Sequence, residues 1–109
     1  MSRSQPDLKS SQDFRLKFWG VRGSYPTVDA ATLGVGGNTS CVEVRVDGRR
    51  LIFDAGTGII PLGKELCNGA AAPPAAYVFL SHTHIDHVLG LCFFEPLLTA
   101  AARTFILGP

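Results

Sequence analysis

A continuous apolar run, Tyr77-Val78-Phe79-Leu80, leads straight into Ser81-His82-Thr83-His84-Ile85-Asp86-His87. An unbroken apolar run of this length suits a strand buried on both faces, as in a sheet covered by helices. Open α/β sheets bind their ligands at the carboxyl ends of such strands. The second segment holds all 3 histidines of the chain. Neutral imidazole and carboxylate are the donors that zinc and similar divalent ions prefer. His82 and His84 can reach one ion from an extended turn, and Asp86 and His87 can face a second close by. A surface loop that happens to hold histidines, or a pH-sensitive patch, is the plainer alternative. Crowding of every histidine and an aspartate into six positions favours a metal site.

The rest of the chain reads as short strands and loops. Residues 1–13 are polar, with Leu8 the strongly apolar member, and suit a flexible leader. Phe14, Leu16 and Phe18 alternate with Arg15 and Lys17, the period of a half-buried strand. Residues 20–39 are rich in Gly, Ser, Thr and Pro and predict a long loop, tightened at Gly36-Gly37-Asn38. Val42, Val44 and Val46 alternate with Cys41, Glu43 and Arg45, and Asp47-Gly48 signals a hairpin turn. The return strand is Leu51 to Asp54, followed by a tight Ala55-Gly56-Thr57-Gly58 loop. A short helix is expected from Pro61 to Cys67, with Pro61 in its first turn. An Ala/Pro linker spans 68–76, a helical stretch Phe93 to Ala102, and a last strand begins at Thr104.

Composition narrows the function classes. Hydrophobic residues make up 46% of the chain, which favours a packed core over disorder. A formal net charge of +1 gives no electrostatic case for nucleic acid or an anionic membrane. No apolar run is long enough to span a bilayer. Cys41, Cys67 and Cys92 are an odd, widely spaced set with no CxxC pair, so buried free thiols in a reducing compartment are expected. The expectation is a soluble, cytoplasmic protein.

His82-Thr83-His84-Ile85-Asp86-His87 matches the His-x-His-x-Asp-His signature, and here the chain resembles the metallo-β-lactamase fold superfamily. Phe53-Asp54-Ala55-Gly56-Thr57-Gly58 looks like that family's strand-ending aspartate and glycine turn. Phe18-Trp19-Gly20-Val21-Arg22-Gly23-Ser24 and Gly36-Gly37-Asn38-Thr39-Ser40 resemble the branch of ribonuclease Z and the cyclic phosphodiesterases. The similarity covers residues 14–109.

The resemblance implies an α/β fold: the αββα sandwich, with only its N-terminal part present, about one sheet plus short helices. It implies that His82 and His84 bind one metal ion and Asp86 and His87 a second. Zinc is the first choice, with manganese or iron as alternatives. Asp86 would also orient the attacking water, so it is the catalytic candidate. Asp54 would hold the histidine loop in place rather than touch metal, although Asp before Ala-Gly is also an ordinary turn. Asn38, Thr39 and Ser40 could offer backbone N–H groups to a substrate phosphate, but a turn that starts the next strand is the simpler view of each. Arg22 could clamp an anion or sit solvated in its loop.

The expected activity is hydrolysis of a cyclic or linear phosphodiester by a water activated between two metal ions. The expected partner is a small anionic substrate. Thioester or lactam hydrolysis on the same fold is the runner-up. A non-catalytic interaction module that keeps a half-site stands as the alternative from another class. The family's further ligands, two histidines and a bridging aspartate, have no counterpart after His87. A truncated chain with little activity of its own is therefore expected, and a second copy could complete partial sites in a homo-oligomer.

Overall fold

The computed structural model describes residues 14–68 and 72–109. The expected leader at 1–13 and part of the Ala/Pro linker lie outside the described residues. Five strands form one sheet in the order β1-β2-β3-β4-β5. They are β1 (Phe14–Gly20), β2 (Cys41–Val46), β3 (Arg49–Phe53), β4 (Ala76–Phe79) and β5 (Thr104–Leu107). The first three pair antiparallel, while β3–β4 and β4–β5 are parallel.

Local chemistry accounts for these elements. Asp47 and Gly48 both have positive φ, at 50° and 76°, the backbone a tight hairpin turn needs. Joining β3 to β4 in parallel requires a crossover, supplied by helix α1 (Ile59–Cys67). Pro61 is the third residue of α1, still in the first turn where a missing N–H costs no hydrogen bond. The β4–β5 connection holds a single helical turn, α2 (Ile85–Val88), and two 3₁₀ segments, Leu89–Phe93 and Glu95–Leu98. The helix expected from Phe93 to Ala102 is therefore earlier, shorter and broken. Phe94 is extended (ψ 104°), and Pro96 has no N–H with which to continue a helix.

The core lies on one face only. Cys41, Ile52, Ala76 and Val78 of the sheet pack beneath Ile59, Leu62 and Leu66 of α1, and Phe94 closes the end. This corrects two expectations. Tyr77 and Phe79 are half-buried, because no helix of the described residues covers their face of β4. Phe14, Leu16 and Phe18, on the apolar side of a strand expected to be half-buried, are exposed, and in β2 Cys41 and Glu43 are buried while the valines are not.

Glu43 is the unexpected member of that buried set. It accepts a hydrogen bond from the Trp19 indole at 3.0 Å and pairs with Arg50 at 2.6 Å. A buried carboxylate is tolerated only when charge and lone pairs are met in this way. Trp19 sits where the β1–β2 register slips between Phe18 and Gly20. No helix of the described residues is long and apolar enough to cross a membrane.

Burying a leucine of this kind contributes about 1.5–3 kcal/mol, so the single covered face carries most of the stability. Leu62→Ala is expected to cost about 2–5 kcal/mol in chemical denaturation, since it leaves a cavity under α1. A loss near zero would place the core elsewhere. Cysteine reactivity gives an independent check. Burial, with Glu43 and Asp54 nearby, pushes the Cys41 thiol up to about 12. Iodoacetamide should therefore label exposed Cys92 and spare Cys41 in the folded protein. Labelling of Cys41 at the rate of Cys92 would contradict this packing.

Candidate metal centre

The histidine loop begins where β4 ends. Leu80 stays in register, its N–H bonded to the Leu107 carbonyl at 2.8 Å. The chain bends at Ser81, and His84, extended with φ −60° and ψ 149°, caps α2. Alternation along an extended segment puts His82 and His84 on one side. Their rings meet edge to face with centroids 4.6 Å apart. The turn of α2 closes with the His87 N–H on the His84 carbonyl at 2.9 Å. It returns the His87 ring to within 4.0 Å of His82. All three imidazoles and Asp86 thus occupy one small region above the carboxyl ends of β3 and β4.

Asp54 organises this region from below. It follows β3 directly and has φ 67°, a left-handed conformation that aspartate tolerates better than most residues. Oδ1 accepts the Ser81 N–H at 2.8 Å, and the Ser81 hydroxyl lies 2.9 Å from Oδ1 and 2.8 Å from Oδ2. On the far side, Oδ2 lies 3.0 Å from His87 Nδ1. That nitrogen is buried without a well-aligned hydrogen bond. A carboxylate oxygen 3.0 Å from an imidazole nitrogen favours the form of the ring with hydrogen on that nitrogen, since a lone pair there would be repelled. Burial pushes the Asp54 carboxyl up, but the Ser81 N–H and hydroxyl, with His87, outweigh it and hold the group below the ordinary aspartate value.

This network assigns tautomers. The Ser81 hydroxyl donates to Asp54, so its oxygen is left to accept from His82 Nδ1, 2.9 Å away. His87 likewise turns Nδ1 to Asp54. In both rings Nε2 keeps a bare lone pair, the form that binds a metal. His87 Nε2 faces Asp86 Oδ2 at 3.5 Å. Two acceptors facing one another call for a cation between them, and two donors at about 2.1 Å on one tetrahedral ion lie roughly 3.4 Å apart. Asp86 and His87 therefore fit as a pair. Among the described residues no group of three His, Cys, Asp or Glu side chains is arranged to hold one ion. The loop offers its donors in pairs, and a closed ion needs further donors.

The long loop reaches this site at one point. The Ser24 N–H donates to Asp86 Oδ2 at 3.0 Å across a separation of 62 residues. That bond, against some desolvation and helped by His87, lowers the Asp86 carboxyl. Nothing in the sequence around Ser24 signals the contact. Ser81 was also missed, although its place before His82 made it a candidate partner.

The Asn38-Thr39-Ser40 segment is bound to the glycine turn. Thr39 is fully buried, its N–H donates to the Thr57 hydroxyl at 2.9 Å, and its own hydroxyl accepts the Thr57 N–H at 2.7 Å. Asn38 Oδ1 accepts from Thr57 at 3.1 Å, and the Ser40 carbonyl accepts the Gly56 N–H at 2.9 Å. The Thr39 N–H is already used, so it does not serve a substrate. Arg22 donates from Nε to the Tyr25 carbonyl at 2.7 Å and lies over the Tyr25 ring, holding its own loop.

Comparison with known proteins agrees with this geometry. Residues 34–100 match the model of the metallo-beta-lactamase superfamily, more than half of the chain. A ribonuclease Z of Natronomonas pharaonis is 36% identical over 77 residues, 71% of this chain and 22% of that protein. A ribonuclease Z of Haloarcula marismortui is 32% identical over the same shares. The matched segment thus spans about a fifth of the length of these curated relatives. The crystal structure of a diphosphatase from the PhnP family aligns with 85% of this chain and 40% of its own, at 24% identity and a TM-score of 0.47. Its strands, its glycine turn and its loop of imidazoles make this chain a member of the metallo-β-lactamase superfamily, with a mixed α/β fold of which part is present.

Proposed function

We propose that this chain supplies metal donors to a hydrolase that cleaves phosphodiesters. The carrying observation is the Asp54–Ser81–His87 network, which turns Nδ1 of His82 and of His87 inward and sets Nε2 of His87 opposite Asp86. His82 and His84 would hold one divalent ion and Asp86 and His87 another, zinc first. When bound, such ions acidify water and offset charge on phosphate oxygens. Asp86, fixed by the Ser24 N–H, would orient the attacking water. Asp54 would keep both rings turned.

Relatives named ribonuclease Z support a phosphate substrate over a thioester or lactam. A second reading, an RNA phosphodiester, is favoured by the ribonuclease Z relatives. The net charge of +1 leaves a small phosphodiester ahead of it. Three free cysteines accord with a cytoplasmic setting.

Two outcomes are expected. In zinc competition against a chromophoric chelator, the 109-residue chain binds weakly, and Asp54→Asn lowers the affinity by a further factor of about 10–100. Tight stoichiometric binding with multiple turnover by the monomer would contradict this. Offered bis(p-nitrophenyl) phosphate, a chromogenic lactam and a thioester in parallel, a full-length protein that carries this segment together with the further metal ligands turns over the phosphodiester best, and a chelator or Asp86→Asn removes that turnover. A preference for the lactam or the thioester would overturn the phosphodiester assignment.

A further inference from the structure

Ser24 holds a backbone conformation that serine rarely adopts, with φ 73°. The Tyr25 N–H returns to the Gly23 carbonyl at 2.9 Å, so Ser24 is the middle residue of a three-residue turn. Closure of such a turn at positive φ marks the rarer, strained kind of γ-turn. It spends the N–H of its last residue and leaves that of its middle residue for an acceptor outside. Here that acceptor is Asp86 Oδ2, 3.0 Å away. A strained backbone persists only where its surroundings over-determine it, and such places cluster at functional sites. Arg22 supplies most of the restraint. Its N–H donates to the Asn38 carbonyl at 3.0 Å, and the two segments bridge in parallel at Arg22 and Thr39. Thr39 is fully buried and bonded to the glycine turn. From that anchored backbone the Arg22 side chain reaches across the turn. Nε donates to the Tyr25 carbonyl at 2.7 Å, and the guanidinium lies over the Tyr25 ring at 4.7 Å.

We propose that Arg22 is a positioning residue of the metal centre, acting on Asp86 through the Ser24 turn. This role rests on the reading of Asp86 as a metal donor. Groups that bind metal must be held within about 0.5 Å of their working geometry. α2 has no buried residue, so packing does little to fix the Asp86 side chain. A donor brought from 62 residues away does so instead, and that donor stays aimed only while the turn stays closed. Arg22 closes it from two directions, at the carbonyl and at the ring of Tyr25. A guanidinium donates in its plane and stacks through its face at once, which a lysine ammonium does not match. A clamp on an anionic substrate is the other use of Arg22, and it needs the guanidinium turned out to the ligand. Here Nε is spent on a carbonyl and one face of the group on a ring. The connection therefore runs from the glycine turn through Thr39 and Arg22 to Ser24, and from Ser24 to Asp86.

Amide exchange in the metal-free 109-residue protein tests this first. Arg22→Ala should speed solvent exchange of the Ser24 N–H by about 10-fold, as its bond to the Asp86 carboxylate opens. In zinc competition against a chromophoric chelator, the same variant should bind about 10-fold more weakly, as when a partner of a metal ligand is lost. Arg22→Lys should behave like Arg22→Ala. Adding Ser24→Gly to Arg22→Ala should restore both readouts to within about 3-fold, since glycine holds positive φ without strain. Arg45→Ala, exposed near the end of β2, should change neither. Circular dichroism and thermal melts establish that each variant is folded, and Arg22→Lys decides if Arg22→Ala fails to fold. A Ser24 amide indifferent to Arg22 would overturn the proposal. So would a double variant no better than Arg22→Ala. Unchanged zinc affinity, with turnover by the full-length protein impaired only in KM, would make Arg22 a substrate clamp instead. Asp86→Asn keeps the two levels apart: zinc affinity indifferent to it sinks the metal reading, whatever Arg22 does to the amide.

Discussion

The carboxylate of Asp54 sets the rest of the site. It leaves β3 in a left-handed backbone conformation that aims both oxygens at the next strand's exit. One oxygen receives the Ser81 N–H, and the other faces His87. Three consequences follow from this one anion. The loop after β4 begins at a fixed point, His82 is turned through the Ser81 hydroxyl, and His87 is turned directly. Removing the carboxylate would leave the Ser81 N–H without its partner and take the negative charge away from His87 Nδ1.

The backbone around Asp54 makes the arrangement rigid. The Ala55 N–H holds the His87 carbonyl at 2.7 Å, and the Gly90 N–H holds the Ala55 carbonyl at 2.9 Å. These bonds lock the glycine turn to both ends of the last turn of the histidine loop. Close approach is possible only because Gly56 lacks a side chain, since a Cβ there would strike the Asp86 carbonyl and the Thr39 hydroxyl. The Thr39–Thr57 exchange of hydrogen bonds ties the start of β2 to the same turn. Loop, turn and strand ends thus form one connected unit, with α1 packed behind it.

Much of this was legible in the sequence because its signals are local. The hairpin at Asp47-Gly48, the strand before the histidines and the helix ending at Cys67 come from neighbouring residues alone. The donors of the site lie within one segment, so their proximity needed no knowledge of the fold. Contacts made across the chain left no such trace. Ser24 meets Asp86 from 62 residues away, and Glu43 is buried only because Trp19 and Arg50 arrive to satisfy it. Alternation in β1 and β2 disclosed two faces without saying which one the helix would cover. The helix covers the face with Cys41 and Ile52, not the face with the valines. The long helix expected after Phe93 failed because Pro96 and the extended Phe94 interrupt it.

Ring tautomers test the central claim most directly. Long-range ¹H–¹⁵N correlation spectra of the metal-free protein report which nitrogen of each imidazole carries hydrogen. His82 and His87 should both appear as Nδ1–H forms at neutral pH, and Asp54→Asn should release them to a mixture. Finding hydrogen on Nε2 of His87, or no change on losing the Asp54 charge, would show that this carboxylate does not prepare the loop for metal.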